Sequence, residues 1–116
     1  MEKAFNIELK TNKNNTYLIT FTLRSALTIE ANKIDDSNKK PFSNEFTLNE
    51  IFEKNNYYKQ FYSFEEVFEE LNIQITEDKK ATIEESENVL KIKIPIPNRL
   101  NQEIVFALKY NDNNYF

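Results

Sequence analysis

The sequence predicts a mainly β domain: a seven-stranded antiparallel β-sandwich or barrel with a helix-turn-helix inserted between strands 4 and 5. Three observations predict it. Apolar and polar residues alternate through seven short runs, the period of a strand with one face buried. Polar turn residues, asparagine above all, separate the runs. Between the fourth and fifth runs the period becomes helical, in FTLNEIFEKNNYYKQFYSFEEVFEEL at 46–71. Polar outer faces indicate antiparallel pairing, since parallel sheets are buried on both sides.

The elements follow in order. Phe5, Ile7 and Leu9 alternate with Asn6, Glu8 and Lys10 in a first strand. The turn TNKNN at 11–15 suits asparagine, which tolerates positive φ. In a chain without glycine, asparagine is expected at every such left-handed position. Tyr17, Ile19, Phe21 and Leu23 give a second strand, and Leu27, Ile29 and Ala31 a third, so the first three form a meander. KIDDSNKK at 33–40 is a polar loop. Pro41 opens a short fourth strand through Phe46, with Phe42 and Asn44 inward, because proline at a strand's first residue forfeits only an end hydrogen bond.

The helical pair carries two capping boxes, Thr47 to Glu50 and Ser63 to Glu66. In each, the hydroxyl accepts from the N3 amide and the glutamate reaches back to the cap amide. Hydrophobic staples are expected between Phe46 and Ile51 and between Tyr62 and Val67. Leu48, Ile51 and Phe52 form one buried stripe; Phe64, Val67, Phe68 and Leu71 form the other. Tyr57, Tyr58, Phe61 and Tyr62 are expected to pack the helices onto the sheet, an exposed aromatic patch being the alternative. Residues 72–75 read as a helix end or a short extended piece, and 77–80 as a turn. A strand at 81–85, a turn at 86–88 and a strand at 89–96 follow, with Leu90, Ile92, Ile94 and Ile96 on one side. Pro95 falls on the outer set, so that strand end must be an edge or lack a partner there. Ile104, Phe106, Leu108 and Tyr110 make the last strand.

Composition narrows the function. At 116 residues the chain is one domain, with a globular head at 1–110 and a terminus at 111–116. Cysteine, histidine and glycine are absent. Disulfides, cysteine-based zinc sites, Ser-His-Asp and Cys-His arrangements, Gly-rich phosphate loops and the nucleophile elbow are therefore excluded. No enzyme, cofactor or metal is expected. The net charge of −4 disfavours nucleic acid, which calls for excess Lys and Arg. No stretch approaches the about 20 apolar residues of a membrane span. The start lacks a signal core, so the expectation is a soluble, cytoplasmic protein.

The chain resembles the head-domain superfamily shared by the centriolar cartwheel scaffold protein and the DNA end-joining coiled-coil scaffold proteins. The resemblance rests on the strand-to-helix passage Phe46-Thr47-Leu48-Asn49-Glu50-Ile51, the spacer to Phe61, and Ser63 through Leu71. It continues in Glu84-Glu85, in Leu90, Ile92 and Ile94, and in Ile104, Phe106 and Leu108. It covers nearly the whole chain through patterns of apolar residues, with no invariant catalytic group. It implies a non-enzymatic protein-interaction and self-association head of a cytoskeletal or centriolar-type scaffold, partnered by itself and by other scaffold proteins. A DNA-repair end-joining scaffold head, which would be nuclear, and a small ligand-binding β-barrel are the alternatives. Heads of this superfamily precede a coiled coil. No heptads appear through Phe116, so an excised head, with 111–116 starting a stalk, or a stand-alone relative is expected.

The resemblance also implies weak head-to-head pairing near the turn between strands 5 and 6, with Val89 or Leu90 as the anchor. Strand parity lets only one of the two face inward, and Leu90 fits the inward set. Lys91, Lys93 and Lys109 form a basic stripe on the outer face of the last two strands. It reads either as edge protection or as a docking stripe for an acidic partner. The carboxylate pairs form no acid/base dyad, because neighbouring residues point apart. Glu66 and Glu70, one turn apart, are expected on a solvated acidic face. NDNN at 111–114 lacks the frame of a calcium loop.

Overall fold

The computed structural model describes residues 2–36 and 39–110. The segment expected as a terminus or stalk start, 111–116, lies outside the described residues. Strands β1 (Lys3–Lys10), β2 (Thr16–Leu23), β3 (Leu27–Lys33) and β4 (Phe42–Phe46) lead into helix α1 (Leu48–Lys54). A 3-10 turn (Asn56–Gln60), helix α2 (Phe64–Asn72) and a π turn (Ile73–Glu77) follow, then β5 (Thr82–Glu85), β6 (Val89–Pro95) and β7 (Glu103–Tyr110). All strand pairs are antiparallel in one sheet of order β1-β2-β3-β4-β7-β6-β5. The sheet curls until β5 lies beside β1, a nearly closed barrel. No helix among the described residues is long and apolar enough to cross a membrane.

The inward residues that strand parity selects fill the interior. Ile19, Phe21, Ile29, Ile92, Phe106 and Leu108 are all buried. Removing such area from water is the main stabilising term, at about 25 cal/mol per Å². On the edge strand β1, Phe5, Ile7 and Leu9 are only half-buried. Phe5 stacks on Phe21 at 4.8 Å and meets Phe68 of α2 at 5.1 Å, so the helix covers what a neighbouring strand would otherwise cover.

Strands β4 and β7 pair only through Phe42 with Tyr110 and Ser43 with Lys109, then diverge. The helical insert fills the gap: Ile51, Tyr58, Val67, Phe68, Leu71 and Ile75 join the same core. Asn44, half-buried where the strands part, donates through Nδ2 to the Ala107 carbonyl at 3.0 Å. The Lys54 ammonium lies over the rings of Phe46 and Phe106, at 5.2 and 5.9 Å.

Several local expectations need correction. The Thr47 box is complete, with Glu50 N–H donating to Thr47 Oγ1 at 3.2 Å and Thr47 N–H to Glu50 Oε1 at 2.7 Å. At the second helix Ser63 Oγ accepts from Glu66 N–H, but Glu66 reaches one residue further, to the Tyr62 amide. Tyr62 makes no staple: it is 96% exposed. The chain approaching Ser63 is extended, so Phe61 and Tyr62 point opposite ways, and Phe61 takes the inner place against Tyr57 and Tyr58. Residues 73–77 continue α2 as a π turn that buries Gln74 and Ile75. Positive φ falls on Asn14, Asn98 and Asn101, but also on Lys79, just after the Asp78 C-cap. That position usually takes glycine, and this chain has none to offer. Pro95 does face a missing neighbour. Ile96 N–H points to β7, bonding Gln102 O, so the nitrogen of Pro95 points to the β5 side, where pairing ends at Thr82 with Lys93.

Candidate interaction surface

The hairpin joining β6 to β7 carries the most exposed aliphatic side chain among the described residues. Leu100 is 89% exposed, in the loop 97–101. Three backbone bonds shape the loop: Ile96 N–H to Gln102 O at 3.0 Å, Arg99 N–H to Ile96 O at 3.3 Å and Gln102 N–H to Arg99 O at 3.2 Å. Asn98 at φ 61° and Asn101 at φ 63° supply the left-handed corners, where asparagine is the best residue after glycine. The loop bounds an open concavity of about 720 Å³.

The same hairpin is docked on the helical insert. Arg99 Nη1 donates to Asn56 Oδ1 at 2.7 Å and to Asn55 Oδ1 at 3.4 Å, and the guanidinium lies 5.5 Å from the Tyr57 ring centre. Asn55 Nδ2 donates to Gln102 Oε1 at 3.3 Å. A side-chain network continues inward: Tyr57 O–H to Glu70 at 2.6 Å, Gln74 Nε2 to the same oxygen at 3.0 Å, and Tyr58 O–H to Gln74 Oε1 at 2.8 Å. Burial, together with the bond to Glu70, pushes the Tyr57 phenol up to about 12. Burial raises the Tyr58 phenol as well. Glu70 is therefore half-buried within a network and is not part of a solvated acidic face.

At the other end of the barrel lies the β5–β6 turn. Val89 is half-buried on the outer face, opposite Lys109. Leu90 is 0% exposed, inside the core, and presents nothing to a partner. Lys91 stands opposite Ala107 and Lys93 opposite Val105, so the three lysines share the outer face with half-buried Val89, Val105 and Ala107. Lys93 is tied to Glu84 at 3.1 Å. Lys91 and Lys109 are exposed.

Beside this turn is a buried carboxylate. Glu85 is 7% exposed and accepts from Thr11 Oγ1 at 3.0 Å, Asn15 Nδ2 at 2.9 Å and Tyr17 O–H at 2.9 Å. The Lys39 ammonium is 3.8 Å away, and the Glu85 amide donates to Asn12 Oδ1 at 2.7 Å. Burial alone would raise this carboxyl; the bonds from Asn15, Tyr17 and Thr11 and the attraction of Lys39 outweigh it and hold the carboxyl below its ordinary value. The Tyr17 phenol is correspondingly raised, by burial first and by Glu85 second. These bonds run from the β1–β2 turn and the start of β2 to the end of β5, across the seam where the sheet order has no strand pairing. Side chains here do what a backbone ladder does elsewhere.

Two of these residues carried a signal that the pattern reading passed over. Glu85 shares strand parity with inward Ile83, which places it on the core side. Leu100 is a lone apolar residue between two asparagine corners, outside the alternation of either strand. Comparison with protein-family models and with curated proteins finds no match to this chain.

Proposed function

We propose that this domain is a non-enzymatic protein-interaction and self-association head of a cytoskeletal or centriolar-type scaffold, and that it docks through the β6–β7 tip. The observation that carries this reading is Leu100, held 89% exposed on a loop with a defined backbone and a docked base. Single exposed apolar residues are common on surfaces. A leucine on a shaped, anchored loop is a different matter, because little ordering entropy remains to be lost when it enters a pocket. The family resemblance of the apolar pattern supports the scaffold setting. The filled barrel interior speaks for a surface-binding module over a ligand-holding barrel. A contact built on one leucine is weak, on the order of micromolar to millimolar, and gains force from multivalency. A second reading is favoured by Lys91 and Lys109, exposed around Val105 and Ala107: an acidic partner docks on that outer face.

Sedimentation equilibrium at high protein concentration tests the proposal. The wild-type chain is expected to associate reversibly, and Leu100→Glu to stay monomeric with an unchanged fold, because a buried unpaired charge is costly. Val89→Glu should associate as wild type does. Association lost in Val89→Glu and kept in Leu100→Glu would move the site to the β5–β6 turn. A wild-type chain that remains monomeric at about 1 mM, where a contact of roughly 4 kcal/mol is half-formed, removes self-association.

A further inference from the structure

We infer that Arg99 is a positioning residue for Leu100: its guanidinium, laid on the Tyr57 ring and hydrogen-bonded to Asn56, fixes the direction in which the tip presents its leucine. This inference rests on the docking role given to the β6–β7 tip.

The argument begins with what the loop itself can hold. Between Ile96 and Gln102 the chain turns on three backbone hydrogen bonds, all local to the loop. They set its shape, and none of them ties the tip to an element outside the hairpin. The β6–β7 ladder reaches the loop at Pro95 with Glu103, but no strand braces the hairpin from the side, because Pro95 has no amide to donate toward β5 and β5 pairing stops at Thr82 with Lys93. Arg99 sits next to Leu100 in sequence and reaches across to the α1–3-10 junction. A planar guanidinium satisfies two constraints together, a face on an aromatic ring and an edge toward carbonyl oxygens. Two such constraints on the neighbouring residue fix both the distance and the rotation of the loop against the helices.

The receiving side is itself held from within. The Tyr57 hydroxyl is bonded to Glu70 of α2, Glu70 to Gln74, and Gln74 to the buried Tyr58 hydroxyl. Tyr57 also stands edge-on to Tyr58, with ring centres 5.1 Å apart. The ring under Arg99 is thus tied by its hydroxyl and by its neighbour, and the tip inherits that order. Gln102, bonded to Asn55, adds a contact at the foot of the loop. Pre-setting a docking residue lowers the ordering cost of binding and improves affinity without a new contact.

The test joins two measurements on the full chain: backbone order parameters at residues 98–101 and sedimentation equilibrium. In wild type the order parameters of the tip should match those of the strands, about 0.85, and in Arg99→Ala they should fall below about 0.6. Self-association should weaken about tenfold in Arg99→Ala, with an unchanged melting temperature. Tyr57→Phe keeps the ring and its edge contact with Tyr58 but loses the hydroxyl tie and should loosen the tip slightly, whereas Tyr57→Ala should loosen it as far as Arg99→Ala does. Arg99→Lys, a point charge without a planar face, should rescue neither order nor association. A tip as ordered in Arg99→Ala as in wild type overturns the inference, and so does full rescue by lysine. The two readings fail separately. A loosened tip in Arg99→Ala with no association in wild type sinks the docking role alone. An association abolished by Leu100→Glu but indifferent to Arg99→Ala sinks the positioning role alone.

Discussion

Glu85 and Arg99 sit at opposite ends of the barrel, and each ties together segments far apart in sequence. Glu85 joins the β1–β2 turn to β5; Arg99 joins the β6–β7 hairpin to the helical insert. The difference lies in burial and in what each group can exchange with water. Glu85 is an acceptor-only group inside the molecule, and the donors on Thr11 and Tyr17 are buried with it. Without it they have no alternative partner. Arg99 is half-buried, and Asn56 beside it is exposed, so water can replace what is lost. One network holds the barrel shut, while the other sets the orientation of a loop. A hydrogen bond adds little net stability when solvent can substitute, and much when its loss strands a buried group.

The largest effect is expected from Glu85→Ala. It leaves the buried donors of Thr11 and Tyr17 unsatisfied and should lower unfolding stability by about 3 kcal/mol in chemical denaturation. A loss under about 1 kcal/mol, the range of a solvent-replaceable bond, would erase the distinction between the two ends.

Acid should act on the same end. The Glu85 carboxyl is held below its ordinary value of 4.5 in the folded chain. The unfolded chain therefore binds the proton more readily, and stability rises with pH across that range. The Glu85 contribution is present above the ordinary value and is lost as pH falls through the folded-state value. In Glu85→Gln the decline of stability between neutral and acid pH should be shallower than in wild type. Parallel profiles for the two proteins would show that Glu85 is not the acid-sensitive latch.

Tyr17→Phe removes one charge-assisted bond from the latch without changing its volume, and should cost about 2 kcal/mol. At the other end Tyr57→Phe breaks the bond to Glu70, which is only half-buried, and should cost about 1 kcal/mol by the same denaturation measurement. Arg99→Ala should be the smallest, within about 0.5 kcal/mol of wild type, because its short hydrogen bond goes to exposed Asn56, where water can substitute. If Arg99→Ala proved as costly as Tyr17→Phe, both networks would be structural, and the tip would owe its order to overall stability.

The sequence by itself determined the strands, their faces and the helix starts. Those signals are local: a period of two, a period of 3.6, and a hydroxyl three residues from a glutamate. Alternation in β2, β6 and β7 named the buried residues that fill the barrel, from Ile19 to Leu108. Parity alone also assigned Leu90 to the core and Val89 to the surface. The tertiary structure decided what local pattern does not encode. Tyr62 looked like a core aromatic and stands in solvent, because an extended residue pair cannot send both rings inward and Phe61 took the place. The donors that hold Glu85 lie 74, 70 and 68 residues before it, so only closure of the sheet brings them to the carboxylate. Whether Leu100 would be covered depended on what the helical insert reached across the end of the barrel. That insert meets the hairpin at Arg99 and Gln102 and leaves the leucine outside. Burial belongs to the whole molecule's packing, and a residue's neighbours in the chain do not fix it.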